Sequence, residues 1–166
     1  MNLDKLKTCI AEIDDDKLDV LKNIILKYND IIILGNGGSN AISCHISQDY
    51  TKVLGKRALC FGDSSRLTCY ANDYGWDNTY LQFLKEFSNE NTLVILISSS
   101  GESNNILKCA YFCTQNNRDM ITLSGFSEDN RLNKMFGHNS LIHFWVDSTD
   151  YGIVECTHEI ILHSVI

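Results

Sequence analysis

Ile31-Ile32-Ile33-Leu34-Gly35-Asn36-Gly37-Gly38-Ser39 reads as a buried β-strand that empties into a glycine-rich loop and then into helix-forming sequence. Such a loop aims backbone N–H groups and the positive end of a helix at one point, and anions, phosphates above all, bind at such points. The pattern returns sixty residues on. Thr92-Leu-Val-Ile-Leu-Ile97 runs into Ser98-Ser99-Ser100-Gly101-Glu102-Ser103, and helical sequence begins again. Two strand–loop–helix switches with small, hydroxyl-rich loops imply one pocket for a phosphorylated small molecule.

Working outward, strand and helix signals alternate. Short apolar runs at Ile31–Leu34, Ala58–Phe61, Thr92–Ile97, Met120–Leu123 and Leu141–Val146 are separated by helical segments near 40–53, 64–70, 77–88, 103–116 and 129–136. A last helical segment starts near Gly152 and runs to Ile166. Residues 2–28 carry apolar residues at helical spacing, and the Asp14-Asp15-Asp16 run splits them into two helices with Asp16 as an N-cap. The expected architecture is α/β: a doubly wound, three-layer sheet of about five parallel strands with helices on both faces. It is expected to be one domain over 1–166, with an N-terminal helical segment over 1–29 and an α/β core over 30–166. Both loops then lie at carboxyl ends of strands, where ligands sit in such sheets.

The chain has 166 residues, 44% of them hydrophobic, and a formal net charge of −7. That length supports one ordinary domain with its own core. No apolar run approaches the roughly 18–20 residues that span a bilayer, and the N-terminus lacks a signal-peptide core, so no membrane partner is expected. The acidic balance, without a basic cluster, argues against nucleic acid. Seven scattered cysteines without a CxxC pair read as reduced core thiols of a cytoplasmic protein.

The Gly35–Ser39 loop lacks the G-x-G-x-x-G spacing and a Walker lysine, which sets NAD and ATP aside. The Ser98–Ser103 loop is the stronger anion signal, because hydroxyls at a helix N-terminus add donors to the dipole. Glu102 is awkward there unless it points outward. His45 and Asp49 are four apart on one helical face. Glu155, His158 and His163 lie on the last helix, with Glu155 and His163 about 80° apart on the wheel. His45, Asp49, Glu155 and His163 are either solvated surface groups, an acid/base pair, or a metal site suited to zinc or another divalent ion. His138 and His143 read as structural.

These motifs together resemble the SIS (sugar isomerase) domain family, and within it the phosphoheptose isomerases, which act on D-sedoheptulose 7-phosphate. Gly35-Asn-Gly-Gly-Ser39 matches the family's GNGGS, with His45 at the family's histidine position. Asp63-Ser-Ser65 through Cys69 resembles the loop after the second strand. Ala71-Asn72-Asp73-Tyr74-Gly75-Trp76 resembles G-N-D-[FY]-G-F, Ile97–Ser103 resembles I-S-T-S-G-N-S, and Glu155-Cys-Thr-His158 through His163 resembles Q-E-x-H-x-x-x-x-H. The resemblance implies an aldose–ketose isomerase. It assigns the phosphate to Ser98, Ser99, Ser100 and Ser103, and the sugar chain to Asn36, Gly37 and Ser39. Asn72 and Asp73 would line the site, and Asp49 and His163 would move the protons. It further implies zinc on His45, Asp49, Glu155 and His163, and a homotetramer with active sites at subunit interfaces.

The chain departs from the family at several positions. Asp49 replaces a glutamate, Glu155 a glutamine and Val53 an arginine, while Gly152 stands where an aspartate is common. Only three residues follow His163, so the last helix is expected to fray or to lean on a neighbouring subunit. These departures leave two alternatives: a non-catalytic protein that binds a partner protein or senses a sugar phosphate, and an isomerase of a different heptose or hexose phosphate.

Overall fold

The computed structural model describes residues 1–166. Two helices, α1 (Leu3–Ala11) and α2 (Asp15–Lys27), lead into β1 (Asp30–Gly35), α3 (Gly38–Leu54), β2 (Arg57–Cys60), α4 (Ser64–Tyr74) and α5 (Thr79–Phe87). The chain continues through β3 (Thr92–Ser98), α6 (Asn104–Gln115), β4 (Met120–Ser124), α7 (Arg131–Phe136), β5 (Ile142–Trp145) and α8 (Tyr151–His163). All strand pairs are parallel, in the order β2-β1-β3-β4-β5.

The apolar runs are continuous because both faces of the sheet are covered. Ile31, Ile33, Leu93, Ile95, Ile97, Ile121 and Leu123 pack against α2, α3 and α8. The alternate residues, Ile32, Leu34, Val94, Leu96 and Met120, pack against α4, α5, α6 and α7. This is the expected three-layer, doubly wound architecture. Strand order reverses between β1 and β3, so their carboxyl ends open a crevice at the middle of the sheet. Gly35–Ser39 and Ser98–Ser103 flank that crevice.

Several local expectations are corrected. The N-cap of α2 is Asp14, whose Oδ1 accepts from the N–H groups of Asp16 and Lys17 at 2.9 and 3.3 Å. This leaves Asp15 and Asp16 in the first turn, where their charges face the positive helix end. The segment near 77–88 opens with a 3₁₀ turn, Trp76–Asn78, before α5. The last helix ends at His163 rather than Ile166. Its tail is docked, not frayed, because Val165 is 1% exposed within the core under α3 and α8. The cysteines are all free, but only Cys9, Cys109 and Cys113 are buried; Cys44, Cys60 and Cys156 are half-buried and Cys69 is exposed. No helix is long and apolar enough to cross a membrane.

Candidate active site

A cleft of about 240 Å³ lies at the strand-order reversal, lined by Asn36, Gly37, Gly38, Ser39, Ile97, Ser98, Ser99, Ser100, Ser103, Tyr151 and Glu155. The helices that start at its rim, α3 and α6, have no side-chain cap. Of the other six helices, α1, α2, α4, α7 and α8 are each capped by an Asn or Asp side chain, and α5 follows a 3₁₀ turn without one. Uncapped helix starts leave N–H donors and the positive dipole end available to an anion. Serine hydroxyls complete the cradle. Ser98 and Ser103 share a hydrogen bond of 3.2 Å, and Ser39 and Ser99 approach at 3.5 Å.

Backbone geometry explains the glycines at the cleft. Gly37 has φ +55, which strains an L side chain. A Cβ on Gly38 would lie 2.2 Å from the Glu155 carboxylate. The loop is held from beneath by Tyr80, whose hydroxyl donates to the Gly35 carbonyl at 2.5 Å and whose pKa burial pushes up to about 12. It is tied sideways by a reciprocal amide pair, Asn36 to Asn105 at 2.9 Å and Asn105 to Asn36 at 3.0 Å. The Asn36 amide is thus engaged in joining the two loops. Asn105 is buried, and neither it nor Tyr151 stood out in the sequence, because an Asn within a helix and a Tyr at a helix start are ordinary. Glu102 does point outward. It takes a backbone N–H and the guanidinium of Arg131, which hold its carboxyl below the usual range. The cradle is therefore spared a free anion.

The ionisable cluster lies along the seam where α3 packs on α8. Tyr50 on α3 is fully buried and donates to the Leu162 carbonyl on α8 at 2.8 Å. That bond sets the neighbouring residues Asp49 and His163 face to face, with His163 Nε2 3.3 Å from Asp49 Oδ2. His45, one turn earlier on α3, brings its Nε2 to 3.5 Å from the same oxygen. His163 Nδ1 donates to the Glu159 carbonyl at 3.2 Å, which turns Nε2 toward Asp49. A neutral Nε2 and a carboxylate oxygen are both acceptors, so a proton or a cation must lie between them. The ligand atoms of His45, Asp49 and His163 all fall within 4.8 Å of one another, an arrangement able to hold a metal ion.

Glu155 is not in this cluster. Its carboxylate faces Gly38 in the cleft, and burial pushes its pKa up. It stands between the two halves of the site. A second hollow of about 390 Å³, bounded by Gly38, Ala41, Ile42, His45, Gly152, Glu155, Cys156 and Glu159, shares Gly38 and Glu155 with the serine cleft. That hollow reaches His45, whose Nε2 contacts Asp49, while Asp49 and His163 themselves do not line it. Asn72 and Asp73 are on exposed α4, hydrogen-bonded to each other at 2.8 Å, and do not line the cleft. His143 is bound to Thr122 and Ser124, and His158 donates to the Ser124 carbonyl; both are structural.

No protein-family model matches the chain. It is 36% identical over 93 residues to a phosphoheptose isomerase of Fusobacterium nucleatum, a match covering 53% of this chain and 48% of that protein. The chain spans about half the length of that curated relative, and 64% of a phosphoheptose isomerase of Yersinia pestis at 27% identity. Its fold is that of the phosphoheptose isomerase GmhA from Neisseria gonorrhoeae, with a TM-score of 0.87 at 21% identity over 96% of this chain and 88% of that one.

Proposed function

We propose that this chain is an aldose–ketose isomerase of a phosphorylated sugar, with D-sedoheptulose 7-phosphate and its aldose isomer as substrate and product. One observation carries the reading: an uncapped, serine-lined anion cradle at the strand-order reversal connects, past Gly38 and Glu155, to the His45–Asp49–His163 cluster. The names of the sequence relatives point the same way.

The phosphate anchors at Ser98, Ser99, Ser100 and Ser103, supplying binding energy remote from the reacting carbons. The sugar chain then runs along α3 toward the seam. Asp49 and His163 exchange the proton between C1 and C2 through a cis-enediol, one as base and the other as acid. The contact of His163 with Asp49 supports the pairing, and the Glu159 carbonyl holds the ring so that Nε2 is the working nitrogen.

The donor set also fits zinc. Bonds of roughly 2.0–2.1 Å in a tetrahedron place ligand atoms about 3.3 Å apart, and Asp49 Oδ2 lies 3.3 and 3.5 Å from the two imidazole nitrogens. A carbonyl on the far ring nitrogen is the usual support of a metal-bound histidine. His45, Asp49 and His163 would hold the ion, with Glu155 as a fourth ligand only after turning from Gly38. Asp49 Oδ2 and His163 Nε2 cannot ligate the ion and carry the proton at once, so the acid–base roles above belong to the metal-free site. Bound there, zinc supplies Lewis-acid polarisation of sugar oxygens. A homotetramer with active sites at subunit interfaces is part of the proposal on the family resemblance, and it would give Asn72 and Asp73, which lie outside this chain's own cleft, a neighbouring cleft to line.

Asp49→Asn and His163→Ala should each abolish interconversion of sedoheptulose 7-phosphate and its aldose isomer, followed by NMR with and without zinc. Turnover retained in both variants overturns the assigned roles. A folded wild-type protein that turns over no phosphorylated ketose overturns the isomerase reading.

A further inference from the structure

We propose that Cys44 and Cys60 form a reversible dithiol–disulfide site that exchanges with small-molecule disulfides. The two sulfurs lie 3.2 Å apart, although sixteen positions separate them in the chain. Both are half-buried, whereas Cys9, Cys109 and Cys113 are enclosed in the core. Cys44 lies on α3, and Cys60 is the last residue of β2, an edge strand of the sheet. Gly62 makes the shared space. A Cβ there would come within 3.0 Å of the Cys44 sulfur and 3.7 Å of the Cys60 sulfur. A disulfide needs an S–S distance of about 2.05 Å, so the sulfurs must close by roughly 1.1 Å. A strand end on a sheet edge, followed by a loop, can supply that movement.

The exchange balances without any other reactant. One thiolate attacks a sulfur of the small disulfide, forming a mixed disulfide and expelling one small thiolate. The neighbouring thiol loses its proton and attacks the mixed disulfide at the protein sulfur, expelling the second small thiolate. Two protein S–H bonds are lost, one protein S–S bond forms, and one small disulfide is reduced to two small thiols. The short sulfur–sulfur distance makes the second step intramolecular, so the mixed disulfide does not accumulate. Neither sulfur lines the serine cleft, although Cys44 directly precedes His45 on α3, so the test below reads the sulfurs themselves and not turnover.

The test uses the full-length protein in glutathione buffers of stepped redox ratio, quenched with acid and analysed by intact mass and peptide mapping. The expected result is loss of two hydrogen atoms in mass, a single linked peptide pair containing Cys44 and Cys60, and complete reversal by excess reduced glutathione. Cys44→Ser and Cys60→Ser should each instead trap a glutathione adduct on the remaining partner. Cys69→Ser, which removes the exposed cysteine, should leave the linked pair unchanged. Wild-type protein that stays fully reduced across the series, accumulates a stable adduct at Cys44 or Cys60, or links either one to a different cysteine overturns the proposal.

Discussion

Asp49 is one methylene shorter than the glutamate its family resemblance implies, and in the fold it is long enough. Its Oδ2 already contacts both His45 and His163, with the carboxylate 21% exposed in the α3–α8 seam. The extra methylene of Asp49→Glu, about 1.5 Å long, would carry the carboxylate past both imidazoles. The expected result is a fall in turnover on the order of 10²-fold, read in steady-state kinetics. A rise would mean that the aspartate falls short. Gly101 is a second residue whose role is geometric. It has φ +68, and a Cβ there would sit 1.9 Å from Oδ1 of Asn130. Asn130 cannot yield easily, since its amide donates to Ser124, Gly125 and Ser127 and its Oδ1 accepts from Asn133. Gly101→Ala should cost roughly 3 kcal/mol or more in urea unfolding, from left-handed backbone strain plus the lost network.

At the scale of elements, the site is made by the way α3 meets α8. Tyr50 and Leu162 form the bond that sets the facing of Asp49 and His163. Tyr50→Phe keeps the ring's packing but strands a buried carbonyl. It should cost about 1–3 kcal/mol in urea unfolding and lower turnover without loss of the fold. An unchanged turnover would show that packing alone aligns the seam. Helix starts tell a similar story. Asn and Asp side chains cap five of the eight helices; α3 and α6 at the cleft have no such cap, nor does α5 away from it.

The molecule as a whole carries a pH dependence built from two histidines, fully buried His158 and half-buried His143. Burial lowers both His143 and His158 to about 4 from 6.5. In His158 one nitrogen donates to Ser124 and the other, Nδ1, has no partner, so the neutral ring is the form that fits. Between pH 4 and 6.5 the unfolded chain therefore binds more protons than the folded one. The stability these groups confer is fully present above pH 6.5 and is lost as pH falls toward 4. Each shift is worth on the order of 3 kcal/mol. Urea midpoints should fall steeply across this window, and His143→Asn should flatten the slope. A midpoint unchanged between pH 7 and 4.5 would contradict the buried neutral state.

Local sequence accounts for the layers, the parallel sheet and the two loops at its carboxyl edge. Runs such as Ile31–Leu34 and Thr92–Ile97 are apolar at every position only when both faces are covered, and that is a local, readable property. It also marked Ser98–Ser103, because serine and glycine before a helix have a direct physical meaning. Which side chains meet depends instead on how the elements pack. Residues 114 positions apart, Asp49 and His163, come into contact through a buried tyrosine that no spacing rule identifies. Glu155 sits apart from the cluster it was expected to join, its carboxylate against Gly38; eight residues of helix put roughly 12 Å of rise between its Cα and that of His163. Asn105 pairs with Asn36, and Cys60 lies beside Cys44, because separate elements pack those residues together. Periodicity specifies faces, whereas contact between side chains depends on the register in which those faces pack.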